Sequence, residues 1–197
     1  ACITEAAIGF PNASGTIPPE NGMLPEILGE LGWNTYMVGK WHLCPDDEMN
    51  LASTRRNWPS GRGFERWYGF LGAETSQWYP DLVYDNHLVD QPKSPEEGYH
   101  LTVDLTDKAI EFIRDAKSVA PEKPFFLYVT FTVPHDPRTP PAGWEKKYDP
   151  AKMPLPKNVL PKHPFNNGVM LVRDEKLLGW PRTEDEIRKE LATYDAM

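Results

Sequence analysis

Two short stretches of this chain hold residue types that act on anions. Lys40 and His42 stand two apart after a run of strand-forming residues, and His135 lies in Pro134-His135-Asp136-Pro137 after a second such run. If the backbone stays extended past Gly39, Lys40 and His42 share one side and Trp41 takes the other, because side chains alternate along a strand. The prolines around His135 restrict its backbone and present it in a rigid loop. In an open parallel α/β sheet, ligands bind beyond the carboxyl ends of the strands, so both clusters are expected on one sheet edge. There the lysine supplies a point charge, and the histidines donate hydrogen bonds or carry protons near neutral pH. A tetrahedral oxyanion suits this set, and sulfate or phosphate esters are the substrates it implies.

Regular elements must position these residues. A helix is expected over 21–31: Asn21 caps it, Pro25 sits in its first turn, Leu24, Ile27, Leu28 and Leu31 recur at helical spacing, and Gly32 stops it. Trp33 to Val38 reads as a strand that ends at Gly39. Residues 44–100 mix Gly, Pro, Asn and aromatic residues without sustained periodicity, which predicts a long excursion packed by its own Trp and Tyr side chains. From Thr102 to Lys117, Leu105, Ala109, Ile110, Phe112, Ile113 and Ala116 share one face of a helix. The run from Phe125 to Phe131 is apolar throughout, as expected of a central strand covered on both faces. Residues 137–182 read as a Pro-rich loop with a short helix near Trp144 to Tyr148. Thr183 and Glu186 then form a capping box for a last helix. This order predicts an α/β fold with a mostly parallel sheet and helices on its faces.

Composition excludes several classes. Of 197 residues, 25% are charged and 12% aromatic, so the chain is not of a disordered composition and is long enough to bury a core. Lys plus Arg number 21 against 29 Asp plus Glu, a net charge of −8, which removes the broad basic surface that nucleic-acid binding needs. Any anion must be bound locally. No apolar run reaches 18 residues, so no membrane span is expected, and the first thirty residues lack the pattern of a signal peptide. The two cysteines, Cys2 and Cys44, form no C-x-x-C pair and leave the compartment open. The 21 prolines require long irregular connections.

Gly32-Trp33-Asn34-Thr35-Tyr36-Met37-Val38-Gly39-Lys40-Trp41-His42-Leu43 resembles the second signature of the sulfatase family, G-[YW]-x-T-x-x-x-G-K-W-H-L. Arg62-Gly63-Phe64-Glu65 with Trp67-Tyr68-Gly69-Phe70 is similar to the R-G-F-D-x-x-Y-G-F segment of arylsulfatases. Pro134-His135-Asp136-Pro137 resembles their A-P-H-x-P loop, and Tyr194-Asp195-Ala196-Met197 their Y-x-A-M helix. The resemblance implies part of an N-terminal sulfatase catalytic domain of the alkaline-phosphatase-like α/β fold, spanning residues 1–197. It implies hydrolysis of a small-molecule or glycan sulfate ester through a formylglycine nucleophile made from Cys or Ser. The residue matching Lys40 binds sulfate and the catalytic hydroxyl, that matching His42 hydrogen-bonds the formylglycine diol, and that matching His135 binds substrate and assists the leaving group. A calcium ion completes such a site.

The maturation motif C-x-P-x-R, or S-x-P-x-R, occurs nowhere in the 197 residues. Cys2 precedes Ile3-Thr4-Glu5-Ala6 and Cys44 precedes Pro45-Asp46-Asp47-Glu48, so neither is expected to become formylglycine. Nucleophile and calcium ligands are expected outside these residues, with no metal ligand within them, and the stretch alone is expected to be inactive. The alternatives are a phosphate or phosphonate esterase of the same superfamily, a non-catalytic sulfatase-like binding module, and a zinc hydrolase using His42, Cys44 and His135, whose spacing is poor for zinc. Asp46, Asp47 and Glu48 read as an exposed acidic turn, and Tyr84-Asp85-Asn86-His87 as a solvated turn. Trp58, Trp67, Tyr68, Trp78 and Tyr79 read as packing of the excursion, and His87, His100 and His163 as structural or surface residues.

Overall fold

A computed structural model of the chain describes residues 16–166 and 176–197. Cys2 lies outside them. The chain divides into two compact units, residues 1–135 and 136–197.

The first unit is a five-stranded sheet with helices. In chain order it holds α1 (Leu24–Glu30), β1 (Asn34–Lys40), β2 (Arg66–Phe70), β3 (Leu82–Tyr84), β4 (His87–Val89), α2 (Leu101–Val119) and β5 (Phe125–Thr130). The strand order is β4-β3-β2-β1-β5. β1 runs parallel to β2 and β5, while β3 and β4 add an antiparallel hairpin beside β2. The mostly parallel α/β expectation holds, with that hairpin as the addition.

Both faces of the sheet are covered because its side chains alternate. Val38, Tyr68, Phe70 and Leu82 face α2 and pack against Leu101, Leu105, Ala109 and Phe112. Met37, Trp67, Leu71 and Val83 face the other way and pack against Trp41, Cys44, Trp58 and Phe64. The excursion is therefore the second layer of the domain, packed by its aromatics as expected: Trp58 meets Trp67 edge-on at 6.1 Å. Glu48 ties it down, its backbone oxygen accepting from Trp58 Nε1 at 2.9 Å and its carboxylate from Asn57 Nδ2 at 2.9 Å. On the opposite face, one Asp104 oxygen accepts from Tyr68 Oη at 2.6 Å and Tyr99 Oη at 3.0 Å. Burial first, and Asp104 with it, holds both phenols well above their ordinary range, so they remain donors.

Four expectations need correction. Residues 44–100 contain three strands, unrecognised because two are only three residues long and the third is interrupted by Gly69. β5 is an edge strand of the sheet among the described residues; its side chains are half-buried apart from exposed Tyr128, although its apolar run suggested a central place. An apolar run reports a demand for burial and leaves position in the sheet open. The first helix begins at Leu24 with Met23 as its cap, where Met23 N donates to Glu26 Oε2 at 2.6 Å. Asn21 instead gives its backbone oxygen to the buried Arg62, which also bonds Glu26 and the Ile17 oxygen. Leu24, Ile27 and Leu31 are exposed among the described residues, so the predicted apolar stripe is not a covered face there.

The second unit carries short 3-10 turns at Trp144–Lys147 and Pro150–Lys152 and the helix α3 (Glu184–Asp195). Thr183 caps α3 through the expected box, its hydroxyl accepting from Glu186 N at 3.3 Å. Arg138 pairs with Glu190, and Arg188 donates to the Met153 oxygen. Part of the predicted 137–182 loop lies outside the described residues.

At the carboxyl end of the sheet, Gly69, Gly39 and Thr130 form one row across β2, β1 and β5. Gly39 has φ +112, and a Cβ there would lie 1.8 Å from the Thr130 oxygen; a Cβ on Gly69 would lie 2.0 Å from the Gly39 oxygen. Gly39→Ala combines a positive-φ penalty with overpacking and is expected to cost about 2–5 kcal/mol. Urea denaturation of the full-length protein checks this, and unchanged stability would contradict the close approach.

Candidate active site

The site residues stand where β1 and β5 end. β1 stops at Lys40, and the next two residues continue its pairing with the chain beyond β2: Trp41 N donates to the Phe70 oxygen at 3.0 Å and His42 N to the Leu71 oxygen at 2.9 Å. Thr130 Oγ1, at the end of β5, donates to the Lys40 oxygen at 2.7 Å. Trp41 is buried, with Nε1 donating to the Asn57 oxygen at 2.6 Å and its ring edge-on to Phe64 at 6.0 Å.

His42 departs from the expected extended backbone. Its φ is +50, a left-handed conformation uncommon for a side-chain-bearing residue. The simple alternation that was to put Lys40 and His42 on one side therefore does not apply. They are neighbours nonetheless: partial desolvation first, then the Lys40 ammonium and His135 hold the His42 imidazole below its ordinary value, against the pull of Asp46 and Glu74. Lys40, His42 and His135 thus stand at or just past the carboxyl ends of two adjacent parallel strands, β1 and β5. His135 closes a turn after β5, its N–H donating to the Thr132 oxygen at 2.9 Å. Such a group, one cation with two imidazoles on the edge of a parallel sheet, can bind a tetrahedral anion and move a proton.

Other candidates separate from this edge. Cys44 is buried among Met37, Trp41 and Trp58. Burial first, then Glu48, Asp47 and Asp46, push its thiol up to about 11. It remains a thiol at neutral pH, unsuited to nucleophilic attack or to the zinc alternative. Asp46–Glu48 is a 3-10 turn whose Glu48 carboxylate is engaged by Asn57, in keeping with the acidic-turn reading. Asp85 and Asn86 turn the β3–β4 hairpin at the opposite end of the sheet, where Asp85 accepts from Trp67 N at 3.0 Å and pairs with Arg66. His100 is the buried cap of α2, accepting from Thr102 N. His87 is exposed on β4, and His163 lies by Phe165 and Trp180 in the second unit.

Sequence reasoning passed over Glu74. It stands four residues beyond the end of β2, so the carboxyl-end rule would have found it had Arg66–Phe70 been read as a strand. Its carboxylate lies within 4.8 Å of a His135 ring nitrogen.

Solved structures share this architecture. One, Ps i-CgsB, superposes with TM-score 0.57 at 22% identity over 72% of this chain and 33% of its own. Another, BT4656 in complex with its substrate D-glucosamine-2-N,6-O-disulfate, does so with TM-score 0.52 at 21% identity over 97% of this chain and 40% of its own. The fold is thus an α/β domain of the alkaline-phosphatase-like class. The family model Sulfatase matches residues 6–197, and the chain belongs to the sulfatase family.

Among its relatives, the uncharacterized sulfatase YdeN of Escherichia coli is 31% identical over 66% of this chain and 25% of its own length. The N-acetylgalactosamine-6-sulfatase of Canis lupus familiaris is 30% identical over 62% of this chain and 24% of its own. The chain spans about a quarter of the length of these curated relatives. Among the described residues, no helix is long and apolar enough to cross a membrane.

Two outcomes are expected. In an NMR titration the His42 imidazole has its midpoint below 6.5, and Lys40→Met raises it, because a neighbouring cation is removed. With a depressed midpoint the folded state binds fewer protons than the unfolded one. This group's share of stability is therefore full above pH 6.5 and declines as pH falls toward the folded midpoint. Mass mapping after iodoacetamide treatment at pH 8 should find Cys44 unmodified in the folded protein and modified after denaturation.

Proposed function

We propose that these residues are part of the catalytic domain of a sulfuric ester hydrolase, with Lys40, His42 and His135 at its reacting centre. The observation that supports this most is that Lys40 ends β1, His42 follows it with its N–H on the Leu71 oxygen, and His135 closes the turn after the parallel β5, at the same carboxyl edge of the sheet. Lys40 offsets the charge of a bound sulfate. His42, held neutral, hydrogen-bonds the nucleophile, and His135 binds the ester and passes a proton to the departing oxygen. The substrate class is a small-molecule or glycan sulfate ester, in line with the sulfated sugar held by BT4656.

The nucleophile in this reading is a formylglycine outside residues 1–197, since neither cysteine here lies in a maturation motif. A calcium ion, likewise assigned to ligands elsewhere, would help neutralise the sulfate when bound. In the acidic turn of Asp46–Glu48, the Glu48 carboxylate accepts from Asn57 Nδ2 at 2.9 Å. The roles assigned here run through Lys40, His42 and His135 alone.

The test is turnover of 4-nitrophenyl sulfate and of sugar sulfates by the full-length protein, with 4-nitrophenyl phosphate as the competing ester. His42→Ala and His135→Ala are each expected to lower turnover of a sugar sulfate about a hundredfold or more with an unchanged circular-dichroism spectrum. Normal turnover in both variants would remove these residues from the mechanism, and preference for the phosphate would move the activity to phosphoryl transfer.

A further inference from the structure

Glu74 is an acidic residue in a place that should repel an anionic substrate. It rides on the loop of residues 71–81 that follows β2, and that loop is ordered by its own bonds. His42 N holds the Leu71 oxygen at 2.9 Å, Ser76 Oγ accepts from Trp78 N and Tyr79 N at 3.1 Å each, and Thr75 Oγ1 accepts from Asp81 N at 3.1 Å. Buried Gln77 anchors its middle, its backbone oxygen accepting from Leu101 N at 2.8 Å. On this scaffold the Glu74 carboxylate lies within 4.8 Å of a His135 ring nitrogen, a span that one water can bridge. It also bears on the charge of His42. A carboxylate in an oxyanion site weakens anion binding, and its position is accounted for when it acts on an imidazole instead.

We propose that Glu74 is a positioning residue for His135, its carboxylate turning the imidazole so that a ring N–H faces the leaving oxygen of the ester. The inference rests on the hydrolase reading above. As the S–O bond to the leaving group breaks, its electron pair stays on the bridging oxygen and the His135 ring proton passes to it. The sulfuryl group passes to the attacking nucleophile, which a formylglycine outside residues 1–197 would supply, and the nucleophile's proton goes to solvent. Glu74 gains no proton; it holds the ring through the second nitrogen, the role a carboxylate plays behind a catalytic histidine elsewhere.

This role predicts a dependence on the leaving group that a merely structural residue would not show. A nitrophenolate departs readily without an acid, whereas a sugar alkoxide needs the proton. In the full-length protein, Glu74→Gln is expected to lower kcat on a sugar sulfate about tenfold or more, with an effect on 4-nitrophenyl sulfate several-fold smaller. Glu74→Asp should restore much of the loss, and Glu74→Gln combined with His135→Ala should be no slower than His135→Ala alone. Equal losses on the two esters, or losses that multiply in the double variant, would overturn the assignment while leaving the hydrolase reading intact. A wild-type protein that cleaves neither ester would overturn both.

Discussion

Trp41 has to be buried while the residues on either side of it stay polar, and the carboxyl end of β1 is shaped by that demand. An indole buries more apolar surface than almost any other side chain, and its N–H needs a partner once water is excluded. Here both needs are met on the face opposite α2, by Phe64 and by the Asn57 oxygen. With the ring pinned inward and the backbone bonded to Phe70 and Leu71, the next residue is driven into a left-handed turn. His42 thus stands beyond the strand with a positive φ rather than continuing the pleat. The strain of a positive φ is held in place by interactions on both sides.

Much of this was legible. The strand before Lys40, the amphipathic run of α2 and the capping box of α3 follow from local rules that depend on few neighbours, and the structure keeps them with small shifts of boundary. Lys40, His42 and His135 were readable as a group because strand ends in a parallel sheet share an edge. Their backbone geometry was not, because alternation assumes an unbroken strand and the positive φ of His42 ends it. β2, β3 and β4 escaped notice for a different reason. Three-residue strands give periodicity nothing to repeat, and their existence depends on partners distant in the chain. With β2 went Glu74, whose meaning comes only from being four residues past its end. Two weaker signals pointed there: the aromatic density of Trp67-Tyr68-Gly69-Phe70, and Asp85-Asn86, a turn-forming pair between short apolar runs.

The division of labour between the two faces also explains why one excursion holds so many aromatic residues. A helix covers its face of the sheet with a regular stripe and needs few large rings; irregular chain has no stripe to offer. Residues 44–64 cover the opposite face through a few large anchors, Trp58 and Phe64 above all, with Glu48 and Asn57 bonding the backbone between them. Cys44 belongs to that packing, which is why burial rather than reactivity describes it.

The row of Gly69, Gly39 and Thr130 carries one more implication. The three backbones lie so close that neither glycine can gain a side chain unless its neighbours move with it. Across descendants of this fold the row would be inherited as one unit, while the loops that leave the strands just beyond it are free to lengthen or exchange. Chemistry at the sheet edge can thus be remodelled by loop replacement without altering the relative height at which those loops begin.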